Sequence, residues 1–164
     1  MNKTVEKIYL DDLYKKFSGL KSQADKAIVQ VDDNLLVKKI SDESNSISIL
    51  MNHLSGNMKH LWTLPFAETE DKPTRKRDEE FIVKEEDTRN NLLEAWEEAW
   101  GIFLETLSNF TAKDLRKRMK HAGREYTLME GLNRQLAHNG EHIGQIILLA
   151  KYFQGEDWEP VGFI

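Results

Sequence analysis

Only three prolines, Pro65, Pro73 and Pro160, interrupt the 164 residues, and between them apolar residues recur every three or four positions. That spacing lines up one stripe of an α-helix and is incompatible with the two-residue alternation of a strand. The sequence therefore predicts an all-α chain with four amphipathic helices. The first spans about Thr4 to Val31, its stripe formed by Val5, Ile8, Leu13, Phe17, Leu20, Ala24, Ala27 and Val31. The second begins near Ser44 or Ser46, either able to cap it, and carries Ile47, Leu50, Met51, Leu54, Met58 and Leu61 until Pro65. The third starts at Asp87 or Thr88 and carries an aromatic seam of Trp96, Trp100, Phe103 and Phe110, with Leu93 and Leu107. The fourth opens with a capping box, Thr127-Leu-Met-Glu130, and stops at Gly155.

The connections are as informative as the helices. Glu68 to Asp87 holds nine acidic and five basic residues and reads as a long solvated crossover between the second and third helices. Leu115 to Tyr126 is basic and contains Ala122-Gly123, which suits a turn or a short hairpin. No repeat or low-complexity tract divides the chain, so residues 1–164 are expected to form one four-helix bundle with a long second connection.

Charge and composition narrow the functions. Lys and Arg total 23 against 28 Asp plus Glu, a net charge of −5, which makes nucleic acid an unlikely partner. With no cysteine, disulfides, thiolate catalysis and Cys-ligated metal centres are excluded. No apolar run approaches the ~20 residues that a membrane helix needs. The first residues carry Lys3, Glu6 and Lys7 where a signal peptide has an apolar core, so a cytoplasmic location is expected.

Chemistry concentrates in the histidines. His138 and His142 are four apart and share one helix face, so both rings can reach one cation. Three protein ligands with a vacant position is the usual catalytic arrangement, and His53 on the second helix is the candidate third ligand. Gly140 and Gly144 beside the pair suit close approach by a helix, a second subunit or a ligand. His138-Asn139-Gly140-Glu141-His142 also fits the H-x-x-E-H pattern of inverted zinc peptidases, with Glu141 as general base. Glu141, His60, Asn57 and Asn139 are candidate pocket residues for proton transfer. His121 lies among six basic residues between Lys113 and Arg124, a patch able to grip a phosphate or carboxylate.

Three stretches together resemble the DinB/YfiT-like superfamily, and more closely a largely uncharacterised bacterial branch of it. They are Asn45-Ser46-Ile47 leading to His53-Leu-Ser-Gly-Asn57-Met58; Asp71-Lys-Pro73-x-Arg75-x-Arg77-Asp78-x-Glu80-Phe81; and His138-x-x-x-His142-x-Gly144-Gln145-Ile146. The resemblance spans most of the chain, and its third stretch is the most specific. It implies a four-helix bundle in which His53, His138 and His142 bind a divalent metal, commonly nickel or zinc. It also implies a metal-dependent hydrolase, or an S-transferase acting with a low-molecular-weight thiol such as bacillithiol, on a small-molecule substrate. Relatives often dimerise through helix faces, tend to continue beyond the position of Pro160, and often carry an aromatic residue where Glu141 stands. Two other readings compete with the enzyme: a non-catalytic stress or interaction module stapled by the metal, and a DNA-associated damage-response protein, which the acidic charge opposes.

Overall fold

A computed structural model describes residues 3–162 of the chain. Thr4 caps α1 (Val5–Ile28), its side chain accepting from the Lys7 N–H. A single helical turn, α2 (Asp33–Leu36), follows and is too short for periodicity to reveal. Of the two serines able to start the next helix, Ser46 caps α3 (Ile47–Trp62) by accepting from the Ile49 N–H. The Ser44 hydroxyl instead accepts from the Ile40 and Ser41 N–H groups and closes the preceding turn. Thr88 caps α4 (Arg89–Asn109). The predicted capping box of Thr127 and Glu130 opens α5 (Leu128–Gln154), which ends at Gly155 with φ 58°.

Between α4 and α5 the basic segment folds as a hairpin of β1 (Arg118–His121) and β2 (Arg124–Thr127), with Arg118 opposite Thr127 and His121 opposite Arg124. Its two turn residues, Ala122 and Gly123, both have positive φ (49° and 72°), which matches the right-handed twist of a two-residue hairpin. Gly131 lets the hairpin sit on α5: a Cβ there would overlap the Met119 sulfur.

Each of the four long helices packs mainly on two others: α3 on α4 and α5, and α1 on α4 and α5. Phe17, Trp62, Trp96, Trp100 and Phe103 are fully buried between them, with Phe17 and Phe103 edge to face at 4.6 Å. Two buried indoles have their donors satisfied: Trp62 Nε1 donates to Gln135 Oε1 and Trp96 Nε1 to Asp25 Oδ1. The first helix departs from its predicted stripe, because Val5 and Ile8 are 79% and 54% exposed and the core begins at Leu10.

The crossover departs further. It contains two short 3-10 turns, Thr69–Asp71 and Arg77–Phe81, and it is not solvated throughout. Lys72 is buried with Nζ on the Lys120 carbonyl, and Arg75 and Glu80 are pressed onto α3. Among the described residues, no helix is long and apolar enough to cross a membrane.

Candidate metal centre

α3 and α5 pack against each other, and this contact brings His53 to the His138–His142 pair. One ligand nitrogen from each ring lies within 4.8 Å of the other two. His53 Nε2 and His138 Nε2 stand 3.0 Å apart. The ring centroids are 4.6 to 5.1 Å from one another, so the three imidazoles meet edge to face around one point.

The crossover supplies the group that orients His53. Glu80 Oε2 lies 3.0 Å from His53 Nδ1, and Arg75 grips the same carboxylate through Nε at 2.6 Å and Nη2 at 2.7 Å. Burial by itself pushes the Glu80 pKa up, but the hydrogen bonds from His53 and Arg75 and the Arg75 charge outweigh it, and the carboxyl is held below its ordinary value. An ionised Glu80 accepts only, so His53 Nδ1 donates to it and Nε2 is left facing the other rings. Gly56, one turn along α3, makes room for this carboxylate: a Cβ there would overlap Glu80 Oε1.

Burial is the largest cause that pushes His138 down to about 3, followed by the nearby His142, His53 and Arg75. Burial and His53 also lower His142, against the opposing pull of Glu141 and Gln145. Both rings are therefore neutral near pH 7, the form that ligates. His138 Nδ1 and His142 Nδ1 are buried with no protein partner. Three converging imidazoles, two of them with an unpartnered nitrogen, fit a divalent transition ion such as zinc or nickel.

The three histidines form one side of a cavity of about 650 Å³. Trp62, Phe81, Met119 and Tyr126 supply its apolar wall, and Arg75, Arg77 and Arg134 its charge. Asn57 faces this cavity, and its Oδ1 is buried without a partner. The other expected pocket residues go elsewhere. His60 lines a neighbouring cavity of about 410 Å³, with Nδ1 2.7 Å from the Pro73 carbonyl. Asn139 is fully buried in the core, its Oδ1 accepting from Gln135 Nε2 at 2.6 Å. Glu141 is exposed, and it is not among the residues lining the cavity. Among the described residues, a Cβ placed on Gly140 or Gly144 would meet nothing within 4 Å beyond its own helix.

Of the titratable nitrogen-bearing side chains in the basic segment before α5, His121 lines the cavity, beside Met119, Ala122 and Tyr126, whereas Arg116, Lys117, Arg118, Lys120 and Arg124 are exposed outside it. The cavity's arginines come instead from the crossover and α5. Arg134 had a readable signal, since Arg134, His138 and His142 succeed one another at four-residue steps. Glu80 and Gly56 had none that periodicity could expose.

The chain matches the family model described as "Protein of unknown function (DUF1572)" over residues 4–163, and it belongs to that family. The comparisons with curated proteins and with solved structures found no match.

Proposed function

We propose that this DUF1572 protein is a divalent-metal-dependent enzyme of the DinB/YfiT type, a four-helix bundle in which His53, His138 and His142 hold zinc or nickel beside a substrate cavity. The observation that carries the reading is the convergence of three imidazoles, one of them oriented by a buried carboxylate, on the wall of a cavity large enough for a small molecule. A divalent cation held there would supply Lewis acidity, which turns water or a low-molecular-weight thiol such as bacillithiol into a nucleophile near neutral pH.

The chain's own residues do the rest. Glu80 and Arg75 fix the His53 tautomer, and burial keeps protons off His138 and His142. Trp62, Phe81 and Tyr126 offer an apolar surface that excludes water from the substrate body. The Asn57 Oδ1 offers an acceptor to a polar group on it.

Turnover tests the reading. Zinc- or nickel-loaded protein is assayed with bacillithiol and a small electrophile, and separately with small esters and amides, beside His138→Ala. Metal-dependent turnover in one of these assays, reduced by roughly 100-fold or more in the variant, is the expected result. Tight metal binding with no turnover in any of them would replace the enzyme by a bundle that the ion merely staples.

A further inference from the structure

In a chain carrying 28 acidic residues and a net charge of −5, the cavity beside the histidines has no aspartate or glutamate in its lining among the described residues, and it has three arginines. Arg75 is neutralised by Glu80. The other arginine ion pairs among the described residues are Arg89–Asp33 and Arg118–Glu125, which leaves Arg77 and Arg134 without a carboxylate. Uncompensated positive charge on a concave, partly apolar wall concentrates anions, because the low-dielectric surroundings focus the field.

The two free arginines are also placed relative to the metal candidates. The Arg77 guanidinium lies 5.2 Å over the Phe81 ring, and Phe81 in turn lies 4.9 Å from the His53 ring. Arg134 precedes His138 by four residues on α5, a rise of about 6 Å along the same face. Arg77 is thus linked to His53 through the Phe81 ring on the crossover side, Arg134 sits one helical turn before His138 on α5, and both are exposed side chains on the cavity lining. A guanidinium fork matches the planar edge of a carboxylate or two oxygens of a phosphate.

We infer that the cavity takes a small molecule bearing an anionic headgroup, a carboxylate or a phosphate monoester, which Arg77 and Arg134 grip while the reactive end reaches His53, His138 and His142. The inference rests on this cavity being the substrate site of the proposed function, and it does not require the metal.

Calorimetric titration of the full chain as purified, with its metal content measured in each sample, tests it. The probes are phenyl phosphate and benzoate, with benzyl alcohol as the uncharged control. The proteins are the wild type, Arg77→Gln, Arg134→Gln and Arg116→Gln, the last an exposed arginine outside the cavity. Saturable binding of at least one anion but not the alcohol is expected. It should weaken about 10-fold or more in the two cavity variants and stay unchanged in Arg116→Gln. Whichever anion binds more tightly identifies the headgroup. Anions that bind no better than benzyl alcohol, or that weaken equally in Arg116→Gln, overturn the inference. Anion binding in samples without metal keeps the inference and counts only against the metal enzyme; metal without anion binding does the reverse.

Discussion

Glu80 receives hydrogen bonds from His53 and Arg75 at a side-chain exposure of 10%, and each of those contacts depends on its charge. Replacing it by Gln keeps the shape but leaves Arg75 without its counter-ion and weakens the hold on the His53 ring. Groups that orient a metal-binding histidine typically change affinity by about 10- to 100-fold, and that is the loss expected for zinc in Glu80→Gln, measured by competition with a chromophoric chelator. Gly56→Ala should produce a loss of the same kind, because its methyl group displaces the flexible end of Glu80 while alanine favours the helix. Zinc affinity unchanged in both variants would detach Glu80 from the centre. The histidines also set an acid limit. His138 titrates at about 3 when folded against 6.5 ordinarily, so below pH 6.5 the unfolded chain takes up a proton that the folded chain refuses. Stability of the metal-free protein is therefore lost as pH falls from about 6.5 toward 3, and the lowered pKa of His142 acts in the same direction. Urea midpoints measured from pH 7 to pH 4 should fall less steeply in His138→Gln than in the wild type; parallel slopes would contradict the neutral half-buried ring.

Among the elements, α5 carries most of the centre, and its start is fixed by Thr127 and Glu130. Removing the cap in Thr127→Ala should cost about 1 kcal/mol, a fall of a few degrees in the thermal midpoint. Gly144 is exposed with nothing near it, so in an isolated chain Gly144→Ala should stabilise α5 by roughly 0.5–1 kcal/mol. Destabilisation together with a change in oligomeric mass by light scattering would instead reveal a partner seated on that face. These long helices were the legible part of the fold, since their caps and apolar spacing are local: Ser46, Thr88 and Thr127 each start a helix at a position open to reading. The crossover was not legible. Its charge predicts solvation, yet Glu80 is drawn inward by His53, 27 residues earlier, a pairing that no local pattern encodes. The single turn of α2 is likewise set by packing of Leu36 and lies below the length at which periodicity shows.

At the scale of the described residues, α1, α3, α4 and α5 all contribute to one core, and the contact of α3 with α5 brings His53, His138 and His142 together beside Glu80 of the crossover. His138 and His142 were legible from spacing alone, whereas adding His53 drew on its place in the second helix and on the resemblance. The net charge hid the rest: an overall −5 coexists with a cavity lined, among the described residues, by three arginines and no carboxylate. A ligand that binds only the folded state adds about 2.7 kcal/mol at 100 times its Kd, so zinc should raise the thermal midpoint and a chelator should reverse the rise. The most direct test of the account is the metal content of untagged protein, measured as purified and after zinc or nickel reconstitution, beside His53→Ala, His138→Ala and His142→Ala. The account predicts close to one divalent ion per wild-type chain and its loss in each variant. A wild type that takes up no metal, or variants that retain it undiminished, would contradict the three-histidine centre.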